Sequence, residues 1–225
     1  GDVTSTTGNV VVTGNFGAGD AVGAITMDAG TTINAGSGTI TMTAPGDITL
    51  TGLSTTSVST GAVSVNSSAG AILDAGDTVI DIVANTGVAR TTLSAATGIG
   101  AANGIETTVA NLVATNTGAT GNIVIVESDA LVIRQAAQTD VGASAGSIDI
   151  TAAGAVTVEA TGTGGAGVTI DGTAASTGAI TLAATGTGNS LSVANVVTSK
   201  AGDITLRGGD NVTLTAAGAV GSTTG

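Results

Sequence analysis

A short unit recurs along the chain: glycine, a small or polar residue, then an apolar–polar–apolar triplet. It stands at Gly23-Ala24-Ile25-Thr26-Met27, Gly38-Thr39-Ile40-Thr41-Met42, Gly46-Asp47-Ile48-Thr49-Leu50 and Gly61-Ala62-Val63-Ser64-Val65. It returns at Gly121-Asn122-Ile123, Gly146-Ser147-Ile148-Asp149-Ile150, Gly154-Ala155-Val156, Gly178-Ala179-Ile180-Thr181-Leu182 and Gly202-Asp203-Ile204-Thr205-Leu206. Alternation with period two places Ile48 and Leu50 on one face and Thr49 on the other, which predicts short strands divided by glycine turns. The strand interiors predicted from this are Ile40, Met42, Ile48, Leu50, Val63, Val65, Ile123, Ile125, Ile148, Ile150, Ile180, Leu182, Ile204 and Leu206. Glycine and β-branched residues dominate and apolar 3,4-spacing is missing, so a helical reading fails.

The spacing between units selects an architecture. Gly23 to Gly46 and Gly38 to Gly61 are each 23 residues, Gly154 to Gly178 and Gly178 to Gly202 are each 24, and Gly121 to Gly146 is 25. Smaller gaps of 8 and 15 recur inside these periods, as from Gly38 to Gly46 and from Gly46 to Gly61. Three steps of about 7–8 per period predict a right-handed parallel β-solenoid with 23–25 residues per three-sided coil. At about 4.8 Å per rung, nine or ten rungs give a rod of about 45 Å. A Greek-key sandwich also uses many short strands, but its loops vary more in length and its core usually takes aromatics. We read residues 1–225 as a single solenoid segment of a longer repetitive chain, since both ends read as mid-repeat. Residues 84–120 form less regular coils, where the unit fades around Arg90 and Gly98-Ile99-Gly100 without new residue types.

Composition narrows the picture. The chain has 37 Gly, one Pro, no Cys, no His, no Trp, no Tyr and a single aromatic, Phe16. A core built on large aromatics is thereby closed off, yet 42% hydrophobic residues is too apolar for disorder. Phe16, in a Gly14-Asn15-Phe16-Gly17 turn, reads as a core or cap plug. The net charge of −12 rests on 16 acids against Arg90, Arg134, Lys200 and Arg207, and it disfavours nucleic acid and anionic lipid. No apolar run reaches the ~20 residues of a membrane helix, and the aromatic girdles of a membrane barrel cannot be built.

Candidate chemistry is limited to carboxylates and hydroxyls. Asp74, Asp77 and Asp81, Glu127 with Asp129, and Asp203 with Asp210 are the acids a sugar-cleaving β-helix would use. Without aromatic platforms to hold a sugar we expect no catalysis and no catalytic residues, and solvated surface acids instead. On a strand, Asp77 and Asp81 would lie about 13 Å apart, too far for one ion, and Glu127 and Asp129 about 6.7 Å apart. Gly164-Gly165-Ala166-Gly167-Val168 is followed by Thr169, where a glycine-rich calcium repeat wants Asp. No cofactor is expected; Ca²⁺ remains open only at acidic turns such as Asp47 and Asp203. Thr26, Thr41, Thr49, Ser64, Thr157, Thr181, Thr205 and Thr213 would form outward hydroxyl ladders, a bed for glycans or an ice plane. Asn66-Ser67-Ser68 and Asn211-Val212-Thr213 match the N-glycan acceptor pattern.

The whole chain resembles the filamentous-haemagglutinin-like repeat regions of giant bacterial surface proteins. The Gly46–Leu50 and Gly202–Leu206 units carry the likeness, together with Leu93-Ser94-Ala95, Gly98-Ile99-Gly100, Gly104-Ile105, Thr115-Asn116-Thr117, Gly121-Asn122-Ile123 and Ala130-Leu131-Val132-Ile133. The resemblance implies a secreted β-helix at the cell surface, used as fibre, surface-layer subunit or adhesin stalk. The asparagine-rich signature of that family's secretion domain is not seen in this sequence. The expected partners are further repeats of the same chain, or a second copy by end-to-end strand pairing, with glycans as a further class. The alternatives are a glycan- or ice-binding face and, more remotely, a polysaccharide-cleaving enzyme.

Overall fold

The computed structural model describes residues 1–15, 22–76, 78–139, 146–161, 164–172 and 176–222. Its strands pair in parallel throughout, and the described residues contain no α-helix. Nine strands stack in one sheet, twelve in a second and three in a short third. This is a parallel β-solenoid, the fold predicted by the glycine spacing.

The first rung holds β1 (Val3–Thr4) and β2 (Val10–Thr13). The next three are three-sided: β3 (Ile25–Thr26), β4 (Ile33–Asn34) and β5 (Ile40–Ala44); β6 (Ile48–Leu50), β7 (Leu53–Ser54) and β8 (Val63–Ser67); β9 (Ile72–Asp74), β10 (Ile82–Ala84) and β11 (Arg90–Ala95). Ile25 pairs with Ile48 and Ile48 with Ile72, so the three isoleucines stand in neighbouring rungs as expected. In the fifth rung Ile99 takes the first side as a lone bridge between Ile72 and Ile123, followed by β12 (Ile105–Val109) and β13 (Asn111–Asn116). Gly98 and Gly100 flank Ile99 with φ of 123° and 63°, a path only glycine follows easily, so the first-side strand here shrinks to one residue.

The corners then move. In the sixth rung β14 (Ile123–Glu127) stacks its start on Ile99 and its end on β12, fusing two sides into one strand. β15 (Leu131–Gln138) is correspondingly long, and above it the second sheet splits instead. Leu131–Ile133 pair with β17 (Val156–Val158), while Gln135–Gln138 pair with β18 (Gly167–Ile170). The residue between, Arg134, is the extra one where the register with β13 shifts. Its Nε donates to Asn111 Oδ1 at 3.0 Å, its guanidinium meets Glu159 at 2.7 Å, and its carbonyl accepts from the Ala166 amide at 2.6 Å. The new corner is thus pinned by both side chain and backbone. The last three rungs are three-sided again: β16 (Ile148–Ala152), β17 and β18; β19 (Ile180–Ala184), β20 (Leu191–Val193) and β21 (Val197–Ser199); β22 (Ile204–Gly208), β23 (Val212–Leu214) and β24 (Val220–Ser222). Coil length follows the corners. It is 23 residues from Ile25 to Ile48 and 24 from Ile180 to Ile204, but 20 from Ile33 to Leu53 and 32 from Ile148 to Ile180.

Isoleucine, valine, leucine and alanine from every side meet in one narrow core. Twelve of the fourteen predicted interior residues are buried, and Thr41, Thr49, Asp149 and Thr181 face outward. The exceptions are Ile204 and Leu206, which are only half-buried because β22 belongs to the last described rung. Two residues before the stacked isoleucines lies a second column: Gly23, Gly46, Gly70, Thr97, Gly121, Gly146, Gly178 and Gly202. A Cβ at Gly146 would fall 1.6 Å from Gly121 O, and one at Gly202 1.9 Å from Gly178 O. The recurring glycine is therefore a contact requirement between rungs as well as a turn signal. Phe16 and its predicted plug lie outside the described residues.

Two substitutions test this packing. Ile148→Asp is expected to lower stability by several kcal/mol, since it buries an unpaired charge between Ile123 and Ile180, and Gly146→Ala should be comparably damaging. Asp149→Asn, on an exposed neighbour, should stay within about 0.5 kcal/mol. Thermal and denaturant unfolding measures all three; wild-type stability in Ile148→Asp would contradict the assigned core.

Candidate functional site

The column just after the glycines explains the acid of the Gly-Asp-Ile-Thr-Leu unit. Asp47 Oδ1 accepts the Ala71 amide of the next rung at 2.8 Å, Asn122 Oδ1 accepts from Ser147 at 2.9 Å, and Ser147 Oγ from Ala179 at 3.1 Å. On other corners Asp2 Oδ1 accepts the Thr32 amide and Asn9 Oδ1 the Thr39 amide, each at 2.9 Å. A short acceptor side chain thus takes over the ladder where strand carbonyls point elsewhere. Asp47 is a staple between rungs, and Asp203 occupies the same column in the last one.

Two acids are deeply buried, contrary to the expectation of solvated surface carboxylates. Glu127, 1% exposed at the end of β14, accepts from Thr107 Oγ1 (2.8 Å) and the Val109 amide (3.1 Å) on one oxygen. Its other oxygen accepts from the Ser128 and Asp129 amides at 3.0 and 3.2 Å. With both oxygens committed to corner groups, Glu127 is a structural clamp. Burial pushes its carboxyl up to about 8, against the pull of the Thr107 hydroxyl and the Val109 and Asp129 amides toward the charged form. Asp129 itself is half-buried and accepts from Asn85 Nδ2, so the pair is turned toward separate partners.

Asp81 is the second buried acid, fully enclosed just before β10. Residues 75–80 hold no strand, and Gly76 turns the chain at φ 83°. The strand-based separation expected for this run therefore does not apply, and Asp81 returns to the side of Asp74, the last residue of β9. Glu106, one rung up on β12, completes a group whose carboxylate oxygens all lie within 4.8 Å of one another. Asp81 Oδ2 accepts the Glu106 amide at 3.1 Å and Asp74 Oδ2 accepts from Asn103 Nδ2. Asp81 Oδ1 and Asp74 Oδ1 are buried with no hydrogen-bond partner. Burial raises the Asp81 carboxyl to about 8; repulsion from Asp74 and Glu106 adds to this, and the Glu106 amide opposes it. Sequence reasoning paired Asp74 with Asp81 but missed Glu106. The signal was present in the periodicity, since Glu106 lies 25 residues beyond Asp81, one coil on. Asp77 lies outside the described residues.

The remaining candidates do not converge. Asp203 and Asp210 are exposed on the last described rung, with Asp210 accepting from Asn211 Nδ2 at 2.6 Å. Thr41, Ser64 and Thr92 stack in register, but Val11 precedes them and Val113 follows. Thr26 and Thr49 are followed by Leu73, and Thr181 and Thr205 are preceded by Asp149, so each hydroxyl ladder is two or three rungs long. In the Asn66-Ser67-Ser68 acceptor pattern Asn66 is half-buried and Ser67 Oγ donates to Gly46 O at 2.8 Å. The chain matches no family model, no curated protein and no solved structure with which it was compared.

The raised Glu127 carboxyl has a pH consequence. An acid held protonated in the fold contributes stability that is complete below about 4.5, its ordinary value, and lost as pH rises through about 8. The stability difference between wild type and Glu127→Gln should therefore shift against the wild type from pH 6 to 9.5, by roughly a few kcal/mol. Denaturant unfolding at fixed ionic strength measures it. A difference constant across that range would mean that Glu127 is ionised in the fold throughout.

Proposed function

We propose that this chain is a structural or adhesive module of the cell surface or extracellular space: a rigid length of fibre, layer or stalk with no catalytic role. The observation that carries the reading is the open last rung. Leu191 and Val193 in β20 are fully buried, whereas their register partners in β23, Val212 and Leu214, are 44% and 55% exposed. Val220 in β24 is likewise exposed above the buried Val197. Among the described residues no strand pairs the outer edges of β22, β23 or β24. Those edges present unpaired backbone groups beside an open apolar core, and Asp203 sits in the column that elsewhere accepts an amide from the next rung. One more rung satisfies all of this, whether it comes from the same chain or from a second copy. The resemblance to filamentous-haemagglutinin-like repeats and the acidic surface support a secreted setting. The broken hydroxyl ladders favour a spacer over an ice- or glycan-binding face.

Electron microscopy and solution scattering of the 225-residue chain test this. Rods should lengthen with concentration in steps of about 43 Å, the height of nine rungs. Leu214→Asp should hold them at one unit, by placing a charge on the stacking surface. Wild-type monomers that persist at high concentration would refute end-to-end pairing between copies.

A further inference from the structure

We propose that Asp74, Asp81 and Glu106 form a binding site for a divalent cation of the calcium class. Three carboxylates whose oxygens approach within 4.8 Å repel one another strongly unless positive charge lies between them. The grouping alone would not single out a ligand. A separate observation does: Asp81 is fully enclosed, and its Oδ1 faces no donor although Oδ2 is bound by the Glu106 amide. A buried carboxylate oxygen without a partner costs several kcal/mol in a finished structure, unless something outside the chain satisfies it. Asp74 Oδ1, also buried and without a donor, adds a second such oxygen.

Glu127 is an internal comparison. It is as deeply buried, but four groups of its own corner donate to its two oxygens. Where this solenoid uses a carboxylate purely as a clamp, it therefore supplies the donors. At Asp81 it supplies one donor and two further carboxylates. Oxygen-only ligands select hard cations over the transition metals that favour sulfur or imidazole. Asp74 and Glu106 are half-buried, and Ala75, Gly76 and Asn103 beside them are exposed, so an ion has access and water can complete its shell. The ion would join rung four to rung five, where Ile99 makes the first side a single bridge. This site does not depend on the function proposed above.

Calorimetric titration of CaCl₂, and separately MgCl₂, into the chelator-stripped chain tests the proposal, with thermal unfolding alongside. The expected result is one saturable Ca²⁺ site and a rise in Tm with Ca²⁺. Asp74→Asn and Glu106→Gln should each weaken binding by roughly tenfold or more, because affinity follows ligand charge. In chelator the same two variants should melt above wild type, since each removes a repelling charge. Asp149→Asn, an exposed acid elsewhere, should keep the wild-type response to the ion. The proposal is overturned if about 10 mM of either ion, beyond the weak end of protein calcium sites, gives no saturable binding and no shift in Tm. It is overturned equally if the Tm shift is the same in wild type, Asp74→Asn and Glu106→Gln, which is the mark of general charge screening.

Discussion

The parallel ladder between rungs requires every residue in it to find a counterpart one coil away, at about 4.8 Å. Each hydrogen bond in it contributes only about 0.5–1.5 kcal/mol net, so the ladder stabilises through number and through the core it lines up. The glycine column is the consequence at one corner. Gly146 and Gly202 sit so close to the carbonyls below that a methyl group would push two rungs apart. With the spacing fixed there, a core of Ile, Val, Leu and Ala closes without aromatics, because identical small side chains stack directly on one another.

Corners are where the ladder is at risk, and polar side chains repair it in two ways. Asp47, Asn122 and Ser147 accept an amide from the rung above. Inside the turn after β13, Asn116 donates to Thr120 O at 3.0 Å and to Gln138 Oε1 at 2.7 Å, and Gln138 donates onward to Gly121 O and Ser147 O. Both residues are fully buried. These amides supply donors to carbonyls that no strand reaches, which lets two sides fuse into β14 without leaving that corner unpaired.

The strand columns were legible because period two and the recurring glycine are local signals, repeated often enough to confirm each other. Ile25, Ile48 and Ile72 follow from them directly. The migrating corner was not legible. Whether two apolar triplets are separate strands or halves of one depends on how the rung beneath is bent, and the 20- and 32-residue coils break a uniform count. Arg134 illustrates this: within Leu131–Gln138 it looks like an outward polar residue, and only the register with β13 reveals it as the bulge that divides a sheet. The acid group was half legible. Asp74 and Asp81 drew notice as neighbours in sequence, but Glu106 joins them through the coil.

The ladder bonds lie along the rod axis, and this decides how the module bears load. Tension spread across a whole rung, as when neighbouring rungs grip both ends, stretches all the bonds of that rung together, and they share the force. Tension applied through the chain itself meets only the last strand, so β24, β23 and β22 would peel one bond at a time. The same rod is therefore strong as a link in a continuous stack and weak when drawn by a loose thread. A solenoid of this kind gains its toughness from being held by its faces.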